Sequence, residues 1–335
     1  MVAAADARDW AKEKLRGIAD SLYTPYNGKW GEEIDYEAIR HLVGYCLGDL
    51  DHDGLMITGG VGEFWALTTE ERKRVVEVQV EEARKVKPES ILFVVATCSS
   101  AKDTLELTRH AQDTGADMVM IQNPFMEAHG GPGTLDFFNY VAEQTDIALG
   151  MFNSPCSGFV MTPAECALIA KEIPAVCAIK DPGPPGHHGL AVKKLAPEII
   201  TWSCDTTHYH AGLVQQGLES PMLLGDSSYL QETPTDRRRT EWFNLVLEGK
   251  LEEARLYYYS AGVEAPTAHG LNYTNSHPDR PGYFTHWGSV TKHAASLLGL
   301  PVGDYPHSRP PQTKLGVAEK ARIKEAYVNS GLIAS

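Results

Sequence analysis

Seven short apolar runs, each closing on turn residues and most followed by a helical pattern, set the strongest limit on how this chain folds. They span residues 54–58, 91–96, 118–122, 147–152, 176–180, 199–203 and 221–224, and a less obvious eighth lies before Thr24-Pro25. Thr68 with Glu71 has capping-box spacing, and Val76, Val80 and Ala83 follow at helical intervals. Thr162-Pro163 with Glu165 repeats the signal, with proline at the first helical position. Strands alternating with helices in this way predict parallel pairing through helical crossovers. Eight strands with seven intervening helices fit a closed (β/α)8 TIM barrel better than a doubly wound sheet, whose GxGxxG signature is missing after the first strands. From Pro234 onward the strand runs stop. Residues 237–248, 251–263, 286–298 and 318–330 all carry helical patterns, and Gly249 and Gly299 stand where helix ends favour a left-handed residue. The expected division is a barrel over 1–233 that carries the site, and a C-terminal helical appendix over 234–335.

The length of 335 residues suits a single barrel with such an appendix. Thirty basic against forty-four acidic residues leave a net charge of −14. That balance argues against nucleic acid or an anionic membrane as the main partner, but not against a small anion held by one lysine and a few amides. The six cysteines form no CxxC pair, and in a chain this long they read as reduced thiols. Charges at Asp6, Arg8, Asp9 and Lys12 break any apolar signal core, and no run approaches the roughly 18 apolar residues of a membrane span. The expectation is a cytoplasmic protein.

Barrel enzymes gather their reactive groups at the C-terminal ends of the strands. Lys180 closes the apolar run Ala175-Val176-Cys177-Ala178-Ile179 and so faces the barrel mouth. A lysine partly desolvated there presents an amine able to attack a carbonyl, although a structural lysine paired with Asp181 or another carboxylate also fits the spacing. Gly59-Gly60-Val61-Gly62 follows the 54–58 strand, and glycines at a strand end let backbone N–H groups approach an anion closely. An amine and an anion-binding loop on one face suit a 2-oxo acid. His208, His210 and Asp205 are metal-like residue types, but no cysteine cluster completes them, so no metal and no cofactor is expected. His187-His188 reads as solvated, Arg237-Arg238-Arg239 as a helix-start surface, and Tyr257-Tyr258-Tyr259 as interface or core. Asn272, Tyr273 and Asn275 lie in a long polar loop that suits a cap over the site.

The segments 59–68 (GGVGEFWALT), Thr24-Pro25, Phe152-Asn153-Ser154-Pro155 and Ile179-Lys180-Asp181 resemble the dihydrodipicolinate synthase/N-acetylneuraminate lyase family. Arg309-Pro310-Pro311, the terminal helix and Gly331-Leu332 are similar as well, so the likeness runs from about Thr24 to Ile333. The resemblance implies a barrel with a C-terminal helical domain, a homotetramer, a Schiff base on Lys180, and carboxylate binding by Gly60 and Val61.

The departures fall on proton transfer. Phe152 stands where the family has a tyrosine, Gly60-Val61 offers no hydroxyl, and Pro124-Phe125-Met126 replaces a proline followed by two tyrosines. Cys156-Ser157-Gly158 replaces an arginine that grips the second substrate of the synthases. Those losses argue against the synthase reaction itself. Carbinolamine formation still requires proton transfer, and Asp205 and His208, just after the seventh strand, are the preferred carriers, with Ser154 a further candidate. Phe125, Phe152 and Trp65 suit an apolar pocket for a hydrophobic or aromatic aldehyde. The expected function is a class I lyase or aldolase acting on pyruvate or another 2-oxo acid. The alternatives are a sugar-acid dehydratase, whose loop also runs GG-x-GEF, and a degenerate member that binds a 2-oxo acid without turnover.

Overall fold

A computed structural model describes residues 2–98, 100–123, 131–153, 159–181, 187–203, 221–224, 227–263, 287–312 and 314–335. Eight parallel strands form one sheet: β1 (Gly17–Asp20), β2 (Gly54–Ile57), β3 (Ile91–Val95), β4 (Met118–Ile121), β5 (Ala148–Phe152), β6 (Val176–Asp181), β7 (Ile200–Ser203) and β8 (Met222–Leu224). The ladder runs β8-β1-β2-β3-β4-β5-β6-β7, and β7 returns to lie beside β8, which closes the sheet into a barrel. The sequence runs match these strands to within two residues. β1 was hard to read because only four residues, one of them Asp20, carry it.

Apolar runs rather than alternating ones follow from burial on both faces. Leu55, Ile57, Leu92, Val94, Val119, Ile121, Leu149 and Ile179 point outward under the helices. Ala19, Met56, Phe93, Met118, Met120, Ala178, Trp202 and Leu224 fill the interior. Trp202 on β7 meets Phe93, four strands away on β3, with ring centroids 6.2 Å apart. Gly150 leaves room on β5, where a Cβ would lie 2.4 Å from the Met120 sulfur.

Six crossover helices surround the barrel among the described residues: α2 (Tyr36–Gly44), α3 (Thr69–Val86), α4 (Ala101–Thr114), α5 (Pro132–Ala142), α6 (Pro163–Glu172) and α7 (His187–Leu195). Both capping boxes form, at Thr68/Glu71 and Thr162/Glu165. Ahead of them, α1 (Ala7–Lys14) closes the N-terminal end of the barrel with Ala7 and Ala11, joined by Leu15 just past its end. Those three positions are spaced four apart, a helical stripe hidden among charges.

After β8 come α8 (Arg238–Leu247), α9 (Leu251–Ser260), α10 (Trp287–Leu297) and α11 (Val317–Asn329). α8 lays Trp242 and Phe243 over Ile18 of β1 and Leu223 of β8, so the first helix beyond Pro234 covers barrel wall. Gly249 and Gly299 both take φ +76°, as helix ends of this kind require. No helix among the described residues is long and apolar enough to cross a membrane.

Candidate active site

Alternation along β6 decides where Lys180 goes. Ile179 belongs to the outer core, so Lys180 points to the barrel axis, in register with Phe152 on β5 and Trp202 on β7. The side chain is 5% exposed, and its Nζ stands 4.3 Å from the centre of the Phe152 ring. Among the described residues Lys180 forms no ion pair, and its close polar contact is this aromatic face. Next to Phe152, Asn153 is tied to Met161: its Nδ2 donates to the Met161 carbonyl (3.1 Å) and its Oδ1 accepts from the Met161 amide (2.8 Å). His188 donates to the same carbonyl through Nε2 (2.8 Å) and is half-buried, which corrects the expectation of a solvated side chain.

β2 lies four strands from β6, on the opposite wall of an eight-stranded barrel. The glycine loop leaves its end through two residues in left-handed backbone, Thr58 (φ 54°) and Glu63 (φ 58°). Between them Glu63 N donates to Gly60 O (3.0 Å), and Thr24 Oγ1 donates to Gly62 O (2.7 Å). Both Gly59 and Gly62 are crowded: a Cβ would sit 2.4 Å from Met56 Cε at Gly59 and 3.2 Å from Leu22 O at Gly62. The amides of Gly60 and Val61 donate to no partner among the described residues. Val61 packs its side chain into the outer core, so it offers the site only its backbone. Trp65 is 40% exposed, stacks edge-on to Phe64 and borders Gly60.

The loop is anchored from the far end of the chain. Glu63 is buried and meets Lys292 of α10 at 3.1 Å; Ser308 donates to its other oxygen, and Lys292 also donates to His307 O (2.8 Å). Burial draws the Lys292 ammonium below the usual lysine range, against the pull of Glu63. Gly288 is needed beside this pair, because a Cβ there would overlap the Glu63 carboxylate. Arg309, the first residue of the Arg-Pro-Pro run, forks onto Glu71 (2.7 and 2.8 Å), donates to Ala66 O (3.0 Å) and stacks 4.5 Å over Tyr26. Lys292, Ser308 and Arg309 together fix both ends of segment 63–71. Sequence reasoning missed this cluster; the available signal was a lysine on the otherwise buried face of a helix.

A second buried charge cluster lies outside the barrel wall. Asp20 follows Ala19 and so points outward from β1, where His52 bridges it (Nδ1 to Oδ2, 2.5 Å) to Glu232 (Nε2 to Oε1, 2.6 Å). Burial alone would lower the imidazole pKa, but the two carboxylates override it and push it up to about 9. This triad ties the end of β1 to the segments that carry His52 and Glu232.

Of the residues singled out in sequence, Lys180, Gly60, Val61 and Phe152 converge on the C-terminal end of the barrel. Phe125, Ser154, Asp205 and His208, together with His210, Asn272, Tyr273 and Asn275, lie outside the described residues. Among the described residues no cluster of three metal-ligating side chains occurs.

A parallel eight-stranded barrel thus carries an inward lysine on its sixth strand and a glycine loop on the opposite wall. The chain belongs to the dihydrodipicolinate synthetase family, whose model matches residues 14–257. The 4-hydroxy-tetrahydrodipicolinate synthase of Bacillus velezensis is 30% identical over 164 residues, 49% of this chain and 55% of that protein. The chain thus spans about half the length of the curated relatives it matches. The dihydrodipicolinate synthase of Acinetobacter baumannii, solved with pyruvate, superposes with a TM-score of 0.78 at 19% identity, over 95% of this chain and 100% of that one. A prophage protein of the same family from E. coli K12, also solved with pyruvate, gives a TM-score of 0.77 at 21% identity, over 95% and 99%.

Proposed function

We propose that this protein is a class I lyase that forms or cleaves a C–C bond through a Schiff base between Lys180 and pyruvate or another 2-oxo acid. One observation carries the reading: a buried amine free of ion pairs among the described residues, across the barrel from the unpartnered Gly60 and Val61 amides. The pyruvate named with two structural neighbours is consistent with that choice of substrate. In this reading the loop amides hold the carboxylate and the Lys180 amine attacks the ketone carbon. The carbonyl oxygen takes a proton to give a carbinolamine, which loses water to leave a protonated imine.

That imine is the electron sink. Loss of the proton from the C4 hydroxyl breaks the C3–C4 bond and releases an aldehyde; the electron pair moves through C3 toward nitrogen, leaving an enamine that is protonated at C3 and hydrolysed to pyruvate. The Phe152 face supports a cation at Nζ by about 0.5–2 kcal/mol, and this applies to the iminium as to the ammonium. Asp205 and His208 are the proposed proton carriers, with Ser154 beside the substrate. Phe125 and Phe152 are proposed as the apolar partners of a hydrophobic or aromatic aldehyde. The working assembly in this reading is a cytoplasmic homotetramer. The test is pyruvate release from a panel of 4-hydroxy-2-oxo acids with aliphatic and aromatic ends. Saturable release by the wild type and none by Lys180→Ala is expected; equal release by both proteins would overturn the reading.

A further inference from the structure

The glycine loop 59–62 offers the site only backbone donors, and a side-chain hydroxyl reaches it from β1. Inward and outward positions alternate there: Ile18 packs under α8, Ala19 faces Met56 and Trp202 in the interior, and Asp20 turns out to His52. Ser21 follows at the strand end and is fully buried. Its Oγ lies 2.9 Å from the point a Cβ on Gly59 would occupy, beside Met56 Cε, which is an interior atom. The hydroxyl therefore sits inside the barrel at the root of the glycine loop, and it has no hydrogen-bond partner among the described residues.

A buried hydroxyl without a partner is costly to keep, and an alanine of nearly the same shape would avoid that cost. Its place on β1 is next to β2, which carries the loop, and three strands from β6, which carries Lys180. We infer that Ser21 is a substrate-binding residue whose hydroxyl donates to the carboxylate of a 2-oxo acid, completing the cradle begun by the Gly60 and Val61 amides. The inference rests on the 2-oxo-acid reading above. It assigns Ser21 to the carboxylate and not to the imine, because it stands beside the strand that carries the loop. Glycine at Gly59 is what lets the hydroxyl approach so closely.

Ser21→Ala separates this role from a structural one. Thermal unfolding is followed in the wild type and variant over a pyruvate series, since a ligand that binds the folded state raises Tm with its concentration. Loss of one hydrogen bond to a charged group should raise by about 10-fold or more the pyruvate concentration needed for a given rise in Tm. Without ligand the variant should melt at or above the wild-type temperature, because an unpaired hydroxyl has been removed. Borohydride trapping of pyruvate should show the same rightward shift with an unchanged plateau, whereas trapping of acetone, which has no carboxylate, should be unaffected. An unchanged pyruvate response, or an equal loss for pyruvate and acetone, would overturn the assignment. A pyruvate-dependent Tm shift without trapping would instead sink the Schiff-base reading and leave Ser21 as a carboxylate donor.

Discussion

Lys292→Met is the sharpest structural test of how the C-terminal segment holds the glycine loop. Lys292 and Glu63 are 0% and 1% exposed, so the variant strands a buried carboxylate with the Ser308 hydroxyl as its remaining donor. Breaking a buried pair from one side costs about 3–5 kcal/mol. At about 2.1 cal/mol/K per residue, a chain of this length unfolds with an entropy of about 0.7 kcal/mol/K, so Tm should fall by about 4–7 °C. Glu63→Gln should cost less, because burial already favours the neutral amine at Lys292, which can shed its proton. The double variant removes both charges and should melt above Lys292→Met alone. Calorimetric scans at one protein concentration and pH 7 decide the matter. A fall of less than about 1 °C, or a double variant that loses the sum of the two single effects, would show that the pair is not coupled.

His52 gives a pH signature. Its folded pKa is raised to about 9 by Asp20 and Glu232, so its contribution is complete below the unfolded value near 6.5 and disappears as pH rises through 9, worth about 3 kcal/mol. Cys46, Tyr45 and Tyr229, which face the same cluster, are held protonated beyond the ordinary range by burial, so the imidazolium is the group that titrates. Thermal melts from pH 7 to 10 should decline in the wild type and flatten in His52→Gln; equal slopes would contradict the assignment. Phe152→Tyr should slow turnover by roughly 5- to 150-fold, because its hydroxyl enters a buried position built for an apolar ring. A variant faster than the wild type would mean that the pocket has kept the family's proton relay. Light scattering should return a multiple of 36.7 kDa, and a monomer at micromolar concentration would speak against the tetramer.

The barrel was legible because each strand is buried on both faces and its ends carry turn or capping residues. β1 was obscure, since Asp20 interrupts it for the sake of a partner, His52, that only the folded chain brings near. The α1 stripe of Ala7, Ala11 and Leu15 was hidden for a similar reason: small residues among charges give a weak periodic signal, although they fit the narrow end of a barrel well. Lys180 and the glycine loop could be placed on one end by strand direction alone. Glu63–Lys292 could not, because the partners stand 229 residues apart and neither has a local pattern that names the other. Ser21 escaped notice because a serine in an extended run looks like a strand end. Only the close approach of Gly59 shows that its hydroxyl is inside the barrel.

The central claim is that the Lys180 amine forms an imine with a 2-oxo acid. Borohydride reduction in the presence of isotope-labelled pyruvate, followed by proteolysis and mass spectrometry, locates any adduct directly. One three-carbon unit on Lys180, absent from Lys180→Ala and not moved to Lys292, is the expected result. Label on another lysine, or none in an enzyme that turns over a 2-oxo acid, would contradict it.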